Sequence, residues 1–464
     1  MMARTDSLPL FSRALRRPTL SKSYLKEPVS IVLVTEALAL VVSEGSPPDG
    51  GLRAWLVVFG VVSGMIATVG LVGFWGAFQE YYQEDVLPDQ SSSNISWIGS
   101  VQNAMMYAPG LFLGRLFDKG YLRLPVFIAS AVFVVCLFLT AECTQYWQFV
   151  LCQGFGMGLS SAVFFQMGEM VLTHWFKKKL GLALGCVLGG SSIGGCIFPI
   201  LVKALVQRTS FQWTMRILGF VTLGLLFITN LTMARRLSGT QRRGPLISIA
   251  EFKKPVYPIF VASLVVNTLA LYTVYTYLTV SAVSSNLDAN LSFDLLAIAN
   301  AISALGQIGS GLFADRYGAP LRLSRLVRSA MAEQVHRSPE RRVIPATLLT
   351  AVVTYAWAFA ANVPAFVVIA VLFGIAYGAV VAIYVQPFAH IGPVEDVGVR
   401  IGIAFTLVTA GVVSGAPISG AILDGTGSFK DVGYYGGSTL LLSAALMAAA
   451  RHFMARFKRA CETS

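Results

Sequence analysis

Charged side chains are scarce in this chain: Asp, Glu, Lys and Arg make up 12% of its 464 residues, where soluble domains carry about a quarter. A water-soluble fold of this length cannot cover its surface with so little charge, so that class is excluded. Histidine is rarer still. His174, His336, His390 and His452 are scattered, with no HExxH or other ligand spacing, so no metal site is expected. The six cysteines form no CxxC pair. Cys136, Cys152, Cys186 and Cys196 lie inside apolar runs, Cys143 at the end of one and Cys461 near the terminus. They read as small buried apolar side chains rather than a disulfide or zinc framework. No Walker phosphate loop is present, so ATP drive is not expected and no cofactor is implied. Gly190-Ser191-Ser192-Ile193-Gly194 matches the hydrolase elbow G-x-S-x-G, yet it sits inside an apolar helix instead of a strand-to-helix turn.

What the chain has instead is apolar length. Hydrophobic residues reach 55% and the mean hydropathy is +0.68. They come in runs of roughly 20, the length that crosses a hydrocarbon core of about 30 Å. The runs place spans 1 to 6 at 53–79, 94–116, 122–141, 145–173, 180–206 and 213–234, and spans 7 to 12 at 256–281, 290–314, 344–362, 363–389, 399–422 and 433–455. Each must be helical, because lipid offers nothing to satisfy a free backbone amide. The fold class is therefore an all-α polytopic membrane protein with twelve transmembrane helices.

The net charge of +12 raises nucleic acid as a partner, but its placement argues for a membrane. With the N-terminus on the cytoplasmic side, every Lys and Arg except Lys203, Arg208, Arg216 and Lys430 falls on that side. Such a bias sets topology, with both termini inside, and marks contact with anionic lipid. No nucleic-acid partner is expected. Residues 1–47 read as a cytoplasmic tail, 235–255 as a cytoplasmic linker and 457–464 as a second tail. The stretch 319–343 is a basic insertion in the loop after span 8.

The two halves of the chain, 48–234 and 256–456, echo each other. Gly114 stands four residues before Asp118, which Lys119 follows; Gly311 stands four before Asp315, which Arg316 follows. Both runs close the second span of their half. This pair resembles the signature loop of the major facilitator superfamily. The resemblance implies two pseudo-symmetric six-helix bundles and a conformational switch, in which these aspartates and cations bridge neighbouring helix ends and break when the bundles rock. Asp49-Gly50-Gly51 with Trp55, and Phe176-Lys177-Lys178-Lys179 leading to Gly185 and Gly189, resemble motifs of the monocarboxylate-porter family, in particular its fungal members.

Several small-xxx-small pairs let helix backbones approach closely: Gly110/Gly114, Gly185/Gly189, Gly190/Gly194, Gly374/Gly378 and Gly411/Gly415. Pro109, Pro199, Pro387 and Pro417 are candidate kinks.

Polar residues inside lipid are costly and usually face a cavity. Span 4 carries Gln166 and Glu169, span 7 Thr268, Tyr272 and Tyr275, span 8 Asn300, Ser303 and Gln307, and span 10 Tyr384 and Gln386. The resemblance implies that spans 1, 4, 7 and 10 line a central pathway, which is where these residues fall. Arg400 could meet an anion from the cytoplasmic end. For each residue singly, a hydrogen bond between helices explains its presence as well as a solute contact does. The animal proton-coupled members carry Asp and Arg where this chain has Ser303 and Gln307, and a span 1 lysine that falls at Gly73. That departure argues against lactate transport by their mechanism.

The function expected is secondary transport of a small organic solute by alternating access, with a proton as a candidate coupling ion. A fungal secondary metabolite, a vitamin such as riboflavin, or a monocarboxylate are the candidate solutes, and the plasma membrane is the expected location. The alternatives are a nutrient sensor on the same fold and a membrane-embedded enzyme; the clustered Asp or His of the latter is missing from the sequence.

Overall fold

Lipid decides the local structure first: twenty-residue apolar segments with no water beside them can only close their own hydrogen bonds. The computed structural model describes residues 48–73, 86–237, 255–285, 289–316, 340–391 and 396–462, with isolated positions at 75, 78, 81, 82 and 252. The tail 1–47, most of the 235–255 linker and nearly all of the 319–343 insertion lie outside these residues, as do the side chains of Tyr275 and Arg316. Everything below concerns one compact unit, Pro47–Ser464.

Ten helices among the described residues are long and apolar enough to cross a membrane. The remaining two expected spans are present in altered form. Span 2 is two helices, Ser92–Tyr107 and Gly110–Asp118, divided at Pro109. Span 9, Glu340–Trp357, has an apolar stretch of Val343–Trp357. Pro387 also marks a break, since Val363–Ile383 ends in a turn before Gln386–Ile391. Pro199 and Pro417 lie inside continuous helices, Leu180–Val206 and Val397–Thr426. The last helix runs from Phe429 to Glu462, past the expected end at 455, because no Gly or Pro follows to stop it.

Helix ends follow local chemistry. Ser91, Ser210 and Asn362 accept the amides of Asn94, Trp213 and Ala365, capping spans 2, 6 and 10. Gly427, at φ +65°, closes span 11 in the left-handed region. Two spans carry π-helical stretches that the sequence did not announce: Ile66–Gly70 in span 1, and Val150–Met157 and Val163–Met167 in span 4. Such wide turns shift side-chain register and recur at functional sites.

The molecule is apolar outside and polar in places within. Leu231 is 70% exposed and Leu305 66%, with Phe127, Phe220 and Phe359 similarly exposed, while Gln102, Gln153, Gln166 and Glu169 are buried. Only lipid makes that inversion stable. Cys136, Cys152, Cys186 and Cys196 are half-buried and unpaired, not fully buried as expected, because their helices show one side to the exterior.

All five small-residue pairs sit at helix crossings. Gly110 and Gly114 face Gly402 and Gly398, and Gly185 faces Gln307. Gly190 and Gly194 face span 1, Gly374 and Gly378 face span 8, and Gly411 and Gly415 face span 7. An added Cβ at Gly374 would lie 2.6 Å from the Ala299 carbonyl oxygen, so these backbones nearly touch.

Candidate solute pathway and the closed end

Two aspartates join the halves in equivalent ways. Asp118, at the end of span 2, accepts the amides of Gly398 at 3.0 Å and Val399 at 2.8 Å, the first turn of span 11. Asp315, at the end of span 8, accepts the amides of Gly181 at 3.0 Å and Leu182 at 2.7 Å, the first turn of span 5. The resemblance implied carboxylates bridged to cations of the signature loop. The bonds described here go to orphan N–H groups at helix N-termini, where the backbone dipole favours an anion, and Arg235 also faces Asp118 electrostatically. Lys119 points to the exterior. Hydrogen bonds to a charged group contribute about 1.5–3 kcal/mol, enough to bias a two-state equilibrium. Burial pushes the Asp118 carboxyl up from 3.8 to about 6, against the lowering effect of the Val399 and Gly398 amides.

A third aspartate ties the two porter-like motifs together. Asp49 accepts the amides of Lys177 and Lys178 at 2.5 Å and of Lys179 at 3.4 Å, and its own amide donates to the Trp175 carbonyl at 3.1 Å. Its carboxylate thus caps the turn into span 5 from the N-terminal side. Asp49 holds φ +54°, Gly50 +156° and Gly51 +90°, so the chain doubles back in a conformation that glycine enters at no steric cost. Trp55 meets Phe176 edge-on at 5.4 Å, fixing the start of span 1 to the same turn.

Above the aspartates the halves meet through aromatic rings. Phe405 of span 11 packs against Tyr107 at 6.0 Å, Phe165 at 5.2 Å and Tyr384 at 6.2 Å between ring centroids. Thr406 accepts the Leu111 amide at 2.8 Å and donates to the Ala108 carbonyl at 3.1 Å, in the gap that Pro109 opens in span 2. Rings and threonine together join span 11 to spans 2 and 4. Tyr107 and Phe165 carried no signal in the sequence, since aromatics at helical spacing also face lipid.

The polar residues singled out in the sequence are distributed as follows. Glu169 is fully buried and accepts the Tyr384 hydroxyl at 3.2 Å, a bond from span 10 to span 4. Gln166, on the second π stretch of span 4, donates to the Met106 carbonyl at 2.8 Å, while its Oε1 has no partner among the described residues. Tyr272 lies beside Tyr107. Ser303 and Gln307 are engaged in helix packing: Gln307 donates to Ser303 at 3.3 Å and accepts from Ser192 of span 5 at 3.2 Å. Asn300 approaches Gly195, one turn further from the aspartates. Thr268 bonds its own helix at the Leu264 carbonyl and packs on Gly411. Gln386 sits at the junction of Gly181 and Asp315. Arg400 is buried, with Nε donating to the Phe388 carbonyl at 3.3 Å and its own carbonyl accepting the Tyr257 hydroxyl at 2.8 Å. Glu169 and Tyr384 are thus bonded across the halves with Gln166 one turn along span 4, Tyr272 lies beside Tyr107 of the ring cluster, and Thr268 and Asn300 pack on spans 11 and 5.

The comparisons with known proteins agree with this geometry. The Major Facilitator Superfamily pattern matches residues 56–332. The chain is 33% identical to the MFS transporter asaE of Aspergillus flavus, over 87% of this chain and 89% of that one. It is 32% identical to the agnestins efflux protein AgnL12 of Paecilomyces divaricatus, over 93% and 94%. Among solved structures, the human organic anion transporter MFSD10 matches with a TM-score of 0.65 at 12% identity, covering 87% of this chain and all of that one. The fucose transporter FucP, in its outward conformation, matches with 0.61 at 12% identity, covering 85% and 98%. Those two likenesses concern the fold alone. With twelve spans, an aspartate latch repeated in each half and relatives aligned along nearly their whole length, this chain belongs to the major facilitator superfamily.

Proposed function

We propose that the chain exports a small organic secondary metabolite by alternating access, in a branch of the superfamily that resembles the monocarboxylate porters. The observation that carries the reading is the pair of aspartate latches, one per half, each seated on a helix N-terminus of the other half. A contact made of few, strong, reversible bonds suits a gate that opens and closes. The export direction rests on relatives named as efflux proteins for agnestins, aspyridones and fujikurins. The Lys and Arg bias supports a cytoplasmic side for the latched end and both termini, and on that reading the state described here is closed to the cytoplasm. Glu169 is the candidate proton carrier, being the buried carboxylate bonded across the halves. Gln166, Tyr272 and Asn300 are candidate solute contacts. The plasma membrane is the location that fits export.

Uptake into inside-out vesicles from cells expressing the chain tests this, using radiolabelled candidate metabolites with and without a pH gradient. Asp315→Ala is expected to slow the initial rate about tenfold, the equivalent of about 1.4 kcal/mol. An unchanged rate would remove the latch from the mechanism, and no uptake of any candidate by the unaltered chain would favour the sensor reading.

The Asp118 latch also predicts a pH response. Its carboxyl titrates near 6 when latched and near 3.8 when open to water, so the latched state binds the extra proton. Lowering the pH from about 6 towards 4 therefore favours latching, and above 6 the difference is constant. Spin labels at Leu116 and Leu312, exposed residues of opposite halves at this end, should show a larger short-distance population at pH 5 than at pH 7.5. The response should vanish in Asp118→Asn.

A further inference from the structure

Three of the six cysteines gather around one turn of the N-terminal half. Span 3 starts at Arg123, just past Asp118, and its helix finishes at Thr140, so the turn into span 4 lies at the end away from the Asp118 latch. Cys136 is on span 3, Cys143 in the turn itself, and Cys152 in the first π stretch of span 4. The surroundings are those of a membrane–water boundary. Glu142 pairs with Arg216 of span 6 at 2.6 Å, and Trp147 and Trp213, on which Arg216 stacks, are exposed. The Lys and Arg bias supports an outer placement for this end.

The turn brings Cys143 against span 4. Gln148, in the first turn of span 4, reaches back with its side-chain oxygen to accept the amides of Thr144 at 2.8 Å and Gln145 at 3.0 Å. Cys152 follows Gln148 by four residues, so the two side chains share a face, and that face looks onto the turn. Cys143 is held there by its amide, which donates to the Thr140 carbonyl at 3.4 Å, and by its thiol, which donates to the Leu139 carbonyl at 3.2 Å. The side chains of Cys143 and Cys152 hydrogen-bond to each other as a result. Cys136 packs on Gly156, one turn further along span 4, and also lies near Cys152. Both Cys143 and Cys152 are half-buried, so a small reagent can reach them. Thiols already in hydrogen-bond contact are within a small movement of disulfide geometry.

We propose that Cys143 and Cys152 are a redox modification site, closing to a disulfide by exchange with a low-molecular-weight disulfide on the outer side of the membrane. One cysteine, as its thiolate, attacks the external disulfide; a mixed disulfide forms and one small thiol leaves. The other cysteine then displaces the second small thiol and the protein S–S bond forms. Two protein thiols are oxidised while one external disulfide is reduced to two thiols, so atoms and electrons balance. The outer side is the oxidising one, where such a bond persists. Burial pushes the Cys143 thiol up to about 12, so little of it is thiolate at neutral pH and closure is slow, needing a sustained supply of oxidant. The bond fastens the outer end of span 4, the span that carries Gln166 and Glu169, to the end of span 3.

The test incubates the full chain with oxidised glutathione, once purified in detergent and once in intact expressing cells, whose membranes that reagent does not cross. Remaining thiols are alkylated, and the denatured chain is cut with chymotrypsin without reduction and mapped by mass spectrometry. Cleavage after Tyr146, Trp147 and Phe149 puts the two cysteines on different peptides. Both samples should yield one linked species containing Cys143 and Cys152 that separates on reduction. Cys136→Ser should keep the linked species and Cys143→Ala should lose it. If Cys143→Ala does not reach the membrane, Cys152→Ala serves in its place, and the map of the unaltered chain is decisive by itself. Cys143 and Cys152 recovered apart, whether free or capped with glutathione, would overturn the pair, as would Cys152 linked to Cys136. Linkage in the purified chain but not in cells would overturn the placement of the site on the outer side.

Discussion

Transport by a Gly114→Leu variant is expected to fall at least a hundredfold while the chain still reaches the membrane. At this crossing, span 2 and span 11 touch backbone to backbone. A Cβ at position 114 would strike the Gly398 carbonyl group and come within 3.2 Å of the Gly402 Cα. Backbone on both sides cannot move aside as a flexible side chain would, so the helices must separate. Overpacking of this kind costs about 1–3 kcal/mol. Separation also takes the Gly398 and Val399 amides away from Asp118, at about 1.5–3 kcal/mol for each bond to the charged group. The sum, roughly 4 kcal/mol or more, shifts the population of the latched state by about a thousandfold. Gly309→Leu is the control: a Cβ there meets nothing within 4 Å, so the same chemical change should leave transport near its normal rate. Initial rates in vesicles decide the matter, and equal rates for the two variants would mean that the crossing does not close during transport.

Glu169→Gln is expected to abolish accumulation driven by a pH gradient, by about two orders of magnitude, while downhill exchange of the solute persists. The side chain is fully buried and its hydrogen bond comes from Tyr384, 215 residues away in sequence and in the other half. A carboxylate carried through the apolar interior costs about 2.5–3.5 kcal/mol unless it is neutralised or paired. Taking up a proton on one side and releasing it on the other is the direct way to neutralise it. Glutamine keeps the shape and can still accept the Tyr384 hydroxyl, so packing is preserved and the capacity to carry a proton is what disappears. Tyr384→Phe should have a smaller effect, roughly threefold to tenfold, since it removes one bond to the carboxylate. Gradient-driven accumulation in Glu169→Gln equal to that of the unaltered chain would transfer proton coupling to another group.

The positions of the helices were legible in the sequence because one physical constraint dominates there. A hydrocarbon layer demands about twenty apolar residues per crossing and tolerates no unsatisfied backbone. That demand is local, so it is written as local composition. The departures are also local in origin: Pro109 divides span 2, and Pro387 ends a helix early, whereas Pro199 and Pro417 are absorbed by the helices around them. The repeat of Gly114-to-Asp118 in Gly311-to-Asp315 was equally visible.

What those residues bind could not be read in the same way. Asp118, Asp315 and Asp49 all end on backbone amides, and an amide donor has no residue type to betray it. At Asp49 it is the peptide N–H groups of Lys177, Lys178 and Lys179, not their charged ends, that meet the carboxylate. The same limit applies to the ring cluster. Phe405 packs on a ring of the other half and Phe127 is exposed on the exterior, but both are phenylalanines at helical spacing. The sequence alone determined that this chain crosses a bilayer twelve times in two matching halves, since lipid acts on every segment separately. Only the tertiary structure decided which ends meet and which carboxylate bridges the halves, because those contacts join spans that are remote in sequence and depend on the angle at which whole helices cross.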